Sequence, residues 1–188
     1  MKIIILEGIA TSGKTIINNL LIQYCREKNL TYAVIGEEET LMPILHNTDV
    51  DIAKQHLKKI LEQYLQQHVD VLIFDRLYFT HVFRTQSSIH DFQDIEDLLR
   101  EHDVHLYLFT IDEERISQRI FDAMKHREQA WQKYVESKGN REEIISYYTN
   151  QQRWLMEQVQ QSSVPHTILN TTDMDFDYCM QKIVTSIL

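Results

Sequence analysis

Residues 8–15 read Gly8-Ile9-Ala10-Thr11-Ser12-Gly13-Lys14-Thr15, a match without exception to the pattern G-x-x-x-x-G-K-[ST]. A loop of small residues lets backbone N–H groups wrap phosphate oxygens, which makes Gly8, Ala10, Thr11, Ser12 and Gly13 candidate nucleotide-binding positions. Lys14 is expected at a solvent-facing loop with its ammonium aimed at the β- and γ-phosphates, and the Thr15 hydroxyl is expected on Mg²⁺. A second cluster lies downstream. Four apolar residues, Val71-Leu72-Ile73-Phe74, deliver Asp75 at the end of a strand, where it is placed to hold the same cation through water; a turn aspartate is the plain alternative. Arg76 follows at once, either to neutralise Asp75 or to grip a pair of phosphate oxygens on the acceptor side.

These groups work only if regular elements hold them. Lys2-Ile3-Ile4-Ile5-Leu6-Glu7 is a short β-branched run that predicts a buried strand. Ile16, Ile17, Leu20, Leu21 and Tyr24 recur at helical spacing, so a helix starts at Lys14 and turns its partially positive end on the loop. The alternation continues along the chain. Strands are expected at Thr31–Ile35, Val69–Phe74, Val104–Ile111 and Val164–Leu169, and the second ends at Gly36 and the acidic triplet Glu37-Glu38-Glu39. Between them, Ala53, Leu57, Ile60, Leu61, Tyr64 and Leu65 mark an amphipathic helix with Lys54, Lys58 and Lys59 as its solvated face. Further helices are expected near 92–101, 112–128 and 141–161 and from Phe176 to the end, with a looser polar region around Ser137–Asn140. Near-continuous apolar strands alternating with helices predict an α/β fold, a parallel sheet covered on both faces, in a single domain over 1–188.

Bulk composition narrows the partners. The net charge of −9 argues against a general surface for nucleic-acid polymers or anionic membranes. No apolar run reaches membrane-spanning length, and a first strand beginning at residue 2 leaves no place for a signal peptide, so a cytoplasmic location is expected. Cys25 and Cys179 fall on predicted helices, away from any metal-ligand spacing, as a reduced pair.

The order of a GxxxxGKT loop, Asp75-Arg76 after the third strand and an arginine-bearing helix after the fourth resembles the P-loop nucleoside and nucleotide kinases, in the thymidylate kinase and deoxynucleoside kinase branch. The resemblance covers nearly the whole chain in order and length, although only the phosphate loop is highly specific. It implies a three-layer fold with a five-stranded sheet in the order 2-3-1-4-5, Asp75 beside the phosphate loop, and a helical lid over about 112–140. Asp75-Arg76-Leu77-Tyr78 stands where those proteins carry Asp-Arg-Tyr or Glu-Arg-Ser. Two departures matter. The Arg-Glu-Pro-Gly-Gly of thymidylate kinases is absent after the second strand, and the Glu-Pro of deoxynucleoside kinases becomes Glu37-Glu38-Glu39-Thr40. One of these carboxylates, Glu37 first, is a candidate acceptor-site base, and three solvated acids in a surface loop are the alternative; a phosphate acceptor needs no base.

Arg115, Arg119 and Arg127 are spaced by four and eight residues, within about a third of a helix circumference. In kinases of the resembled type such a lid brings arginines to the transferring phosphoryl group, with Arg119 and Arg115 foremost here. Ion pairing with Glu113, Glu114 and Asp122 is the alternative. Tyr78, Arg84 and the aromatics between them either line a flat acceptor or pack a helix on the sheet. Asn170-Thr171-Thr172-Asp173 occupies the position that meets the donor adenine in the resembled kinases.

The implied activity is a kinase moving the γ-phosphoryl group of ATP, with Mg²⁺, to a nucleoside or nucleoside monophosphate, with Lys14, Arg76 and Arg119 acting in transfer. Kinases for another metabolite or an antibiotic, and a nucleotide-binding regulatory module, are the alternatives, and a homodimer stays open. A regulatory GTPase is disfavoured because neither Asn-Lys-x-Asp nor Asp-x-x-Gly occurs.

Overall fold

A computed structural model describes residues 1–187. In chain order the elements are β1 (Lys2–Gly8), α1 (Lys14–Glu27), β2 (Tyr32–Ile35), α2 (Glu37–Thr40), α3 (Val50–Tyr64), β3 (Val71–Asp75), α4 (Phe79–Thr85), α5 (Gln93–Arg100), β4 (Asp103–Thr110), α6 (Glu113–Met124), α7 (Gln129–Glu136), α8 (Arg141–Val159), β5 (His166–Asn170) and α9 (Phe176–Val184). The five strands form one parallel sheet in the order β2-β3-β1-β4-β5.

β1 lies at the centre because its β-branched run can be buried on both sides. Ile3 and Ile5 pack into the core shared with α3, α4, α5 and α8, whereas Ile4 and Leu6 face the opposite core with Ile17 and Leu21 of α1 and Ile183 of α9. That alternation makes three layers, helix on sheet on helix. The register pairs Leu6 with Asp75 across β1–β3 and Gly8 with Phe109 across β1–β4. The carboxyl end of β1 is therefore flanked by Asp75 on one side and by β4 on the other, where ligands of such sheets bind.

Three local expectations change. The acidic triplet is a helical turn, α2, rather than a loop. Residues 112–128 do not form one helix: α6 stops at Met124, and a further helix, α7, begins at Gln129 after an extended Glu128 and ends at Glu136, ahead of the expected loose region at 137–140, which carries no helix. Lys54 and Lys58 are not merely solvated, since both reach Asp94 of α5, at 3.3 and 2.6 Å. Cys25 and Cys179 are buried and unbridged on α1 and α9. Among the described residues, no helix is long and apolar enough to cross a membrane.

Candidate functional site

The loop between β1 and α1 makes a tight reversal. Thr11 and Gly13 adopt left-handed backbone, with φ of 66° and 90°. Gly8 has φ of 144°, and a Cβ there would lie 2.5 Å from the Phe109 carbonyl oxygen and 2.7 Å from Ser12 Oγ, so only glycine fits. Ile16 and Ile17 are the first residues of α1 whose N–H groups find a carbonyl, both on Gly13. The N–H groups of Gly13, Lys14 and Thr15 have no such partner among the described residues, which leaves an array of donors at a helix N-terminus.

Lys14 is not on a solvent-facing loop. The loop wraps the side chain, and Nζ donates to the carbonyls of Gly8 and Ile9, each at 2.9 Å, with only 6% of the residue exposed. Burial, then the neighbouring Arg76, pushes its pKa down to about 7.

Arg76 is the hub of the opposite wall. Its backbone is left-handed, φ 68°, and its N–H donates to Leu6 O at 3.0 Å. Nη1 donates to Gly8 O at 2.9 Å and to Thr80 Oγ1 at 3.1 Å, and Nε donates to the Glu37 carboxylate. Burial works against the charged form of Glu37, but Arg76 and Lys14 together outweigh it and hold the carboxyl below the ordinary glutamate value. Glu37 lies 39 residues from Arg76 in sequence, so no local pattern announces the pair.

Asp75 Oδ1 is buried and has no hydrogen-bond partner among the described residues. Burial pushes its carboxyl up, opposed by Lys14 and Arg76. A carboxylate with an unused oxygen, beside Thr15 in the same cleft, is a hard oxygen donor set that fits Mg²⁺. No cluster of three or more His, Cys, Asp or Glu side chains suited to a metal occurs among the described residues. Asp75→Asn keeps the shape and loses the charge. It should raise the Mg²⁺ concentration for half-maximal turnover about tenfold or more while metal-free ATP binding stays within about twofold. An unchanged magnesium titration would make Asp75 a turn residue.

These residues share one cleft of about 940 Å³. The phosphate loop, Asp75, Arg76 and Glu37 form its floor, and Arg115, Arg119 and Arg127 overhang it from α6 and the α6–α7 connection. Among the described residues none of the three arginines is in an ion pair, because Arg153 takes Glu113 and Lys125 takes Asp122. Arg119 instead donates to Thr171 O at 2.5 Å, and Arg127 lies over the Trp131 ring, 4.6 Å from its centroid. Thr172 and Asp173 line the cleft, whereas Asn170 is occupied in bonding Asp112 and the Thr172 N–H.

Two expected acceptor residues lie elsewhere. Tyr78 is fully buried and its hydroxyl donates to Glu96 at 2.9 Å, so it belongs to the core rather than to the cleft. Arg84 is not at the cleft wall either: it donates to Leu45 O and Asn47 O and clamps the segment that carries Leu41, Met42 and Leu45 into the cleft. The aromatic run after β3 thus packs α4 on the sheet, with Phe79 and Val82 in the core. The aromatic side chains that do line the cleft are Trp131 and Tyr134 of α7 and Tyr148 of α8.

His81 completes the clamp. Arg84 Nη2, a donor, sits 3.1 Å from Nδ1, so Nδ1 accepts and Nε2–H donates to Thr40 O at 2.8 Å, tying α2 and hence Glu37 to α4. Burial pushes the His81 pKa down to about 4 from 6.5. The unfolded chain binds the extra proton between those values, so stability falls as pH drops through that window. Between pH 7 and pH 5, wild type should lose about 2 kcal/mol more in urea unfolding than His81→Gln. Equal losses would show that the imidazole is not kept neutral.

No protein-family profile matches the chain, and no curated protein matches it in sequence. Solved structures match over 98% of its length. The YorR protein of Bacillus subtilis, in complex with phosphorylated GDP, superimposes with a TM-score of 0.63 at 16% identity, over 98% of this chain and 94% of that one. Shikimate kinase from Bacteroides thetaiotaomicron gives 0.59 at 12%, over 98% and 97%. Deoxyadenosine kinase from M. mycoides, with bound dATP, gives 0.56 at 15%, over 98% and 100%. With the sheet order β2-β3-β1-β4-β5 and the phosphate loop after β1, these likenesses show that the chain has the three-layer α/β fold of P-loop kinases.

Proposed function

We propose that the chain is an ATP-dependent phosphotransferase that moves the γ-phosphoryl group to a hydroxyl of a small planar acceptor, a nucleoside foremost. One observation carries this reading: the Glu37 carboxylate, held ionised and pinned by Arg76, lines the same cleft as the phosphate loop. A hydroxyl nucleophile needs a proton acceptor at that place. A monophosphate acceptor would instead need a free cationic fork, and Arg76 is already engaged by Glu37, Gly8 O and Thr80. The neighbours are consistent with this: shikimate and deoxyadenosine, named for two of the kinases that share the fold, are small hydroxyl-bearing molecules.

In the reaction the free N–H groups of the loop and Lys14 hold the β- and γ-phosphates. Mg²⁺, held by Thr15 and Asp75, would neutralise charge on the phosphate oxygens. The acceptor oxygen bonds to the γ-phosphorus as its proton passes to Glu37, and the β–γ bridging bond breaks to release ADP. Arg76, with Arg119 or Arg115 once the lid closes, faces the charge spread over the transferring group. Trp131, Tyr134 and Tyr148 supply flat apolar walls for a base.

The test is ADP release by the full chain with ATP and Mg²⁺, with and without nucleosides, nucleoside monophosphates and other small metabolites, with the product identified by mass. At least one nucleoside should stimulate ADP release. Stimulation by monophosphates alone would overturn the hydroxyl reading, and the same slow release with every compound would make the chain a nucleotide-binding module.

A further inference from the structure

Glu7 ends the apolar run of β1, fully buried, and no step above touches it. Both of its oxygens are occupied. Oε1 accepts the Leu77 N–H at 2.8 Å, and Oε2 accepts the Thr80 hydroxyl at 3.0 Å. Thr80 Oγ1 in turn accepts from Arg76 Nη1 at 3.1 Å. Glu7 therefore holds Arg76 twice, through the peptide that follows it and through its guanidinium. A left-handed arginine persists only where its surroundings over-determine it, and here Leu6 O anchors the near side while Glu7 anchors the far side.

Burial pushes the Glu7 carboxyl up, and Arg76 leads the groups that oppose it, so its charge goes with the guanidinium beside it; a buried amide could fill the same space, and the pairing needs its own explanation. Arg76 has three carboxylate neighbours, Glu37, Glu7 and Asp75; Asp75 is committed to the cation in the proposed transfer, and the other two differ. Glu37 lines the cleft and takes the acceptor's proton in the proposed transfer, whereas Glu7 is fully buried and meets the cleft only through the Thr80 hydroxyl. At the moment Glu37 becomes neutral, Arg76 would lose its counter-charge just as it must face the transferring phosphoryl group. We propose that Glu7 is a positioning residue that acts through Arg76: its buried carboxylate, relayed by Thr80, is the counter-charge that keeps the guanidinium in place when Glu37 is neutral. The proton balance rests on the reading of Glu37 as proton acceptor; the hold on Arg76 does not.

Glu7→Gln keeps an oxygen for the Leu77 N–H but removes the charge and cannot accept the Thr80 proton. Thr80→Val cuts the relay alone and serves as the second variant should Glu7→Gln fold poorly. The first readout is the ¹⁵N-detected side-chain signal of Arg76 in the full chain, assigned by its loss in Arg76→Lys. The signal should stay narrow in Glu37→Gln, shift in Glu7→Gln and Thr80→Val, and broaden in Glu7→Gln/Glu37→Gln far beyond either single change. The second readout is turnover with the acceptor that the panel identifies. In Glu7→Gln and Thr80→Val, kcat should fall about 10- to 100-fold, the range for groups that orient a working residue from behind, with the KM for ATP within about twofold. A Glu7→Asp variant, which restores the charge, should recover part of that loss. An Arg76 signal unchanged in Glu7→Gln, or one already fully broadened in Glu37→Gln, would overturn the proposal. Equal loss of ATP binding and turnover would also overturn it and leave Glu7 as a packing residue. If wild type shows no acceptor-dependent turnover, the kinase reading has failed, and the Arg76 signals still decide the hold by Glu7.

Discussion

Lys14→Met should abolish phosphoryl transfer while the chain still folds. The lysine lies inside the phosphate loop, its Nζ on the Gly8 and Ile9 carbonyls, and in the proposed transfer its ammonium faces the oxygens where charge grows as the β–γ bond breaks. A preorganised electrostatic contact of that kind is worth about 100- to 1,000-fold in kcat, or about 3–4 kcal/mol. Methionine fills the buried channel with a chain of similar length. The carbonyls of Gly8 and Ile9 lose the donor they share, a modest cost offset by removing a charge from a buried site. The pH dependence is a second signature. Because burial, then Arg76, pushes the free Lys14 to about 7, much of it is neutral at pH 8, and phosphate binding must draw a proton onto it. Metal-free ATP affinity in wild type should therefore weaken as pH rises above 7, whereas Lys14→Met should lack that part of the slope. Calorimetry in buffers of different ionisation enthalpy, with circular dichroism to check the fold, makes both measurements. Wild-type turnover in the variant would remove the phosphate loop from the mechanism.

The parts of this site that sequence could show are those written locally. Gly8, Gly13, Lys14 and Thr15 stand in one octapeptide between a β-branched run and a helical period, and Asp75 ends an apolar strand, so spacing put them in a loop and at a strand end, but not the burial of Lys14 within that loop. The sheet order followed from resemblance rather than from spacing, because nothing in a strand says which neighbour it will take. What failed to show depends on contacts between distant residues. Glu7 finds its partners 70 and 73 positions away, and its one local sign is an ionisable residue ending an otherwise apolar strand. Tyr78 and Arg84 looked like acceptor ligands because aromatics and a cation follow the Asp75 strand, but α4 turns Tyr78 into the core toward Glu96 and Arg84 toward the 45–47 segment. The break between α6 and α7 carries neither glycine nor proline, so the chain gave no punctuation there. Trp131 and Tyr134, which line the cleft, were hidden with it.

Glu37→Gln separates the two acceptor classes. The glutamine oxygen can still accept the Arg76 Nε–H, so the wall of the cleft keeps its shape, but the group can no longer take a proton. General-base catalysis contributes about 100- to 10,000-fold, so kcat with a nucleoside should fall by at least about 100-fold while ATP binding changes little. Glu37→Asp retains a carboxylate on a shorter arm and should recover part of the loss. The other two acids of α2 supply the control. Glu38 is exposed, and Glu39 accepts the Tyr64 hydroxyl outside the cleft, so neutralising either should change turnover by less than about twofold. A large effect at Glu39 would move the base along α2. A Glu37→Gln variant as fast as wild type would mean that the nucleophile arrives already ionised, as a phosphate oxygen does. The Glu37–Arg76 pair would then be a structural tie, and the acceptor a monophosphate held by the lid arginines.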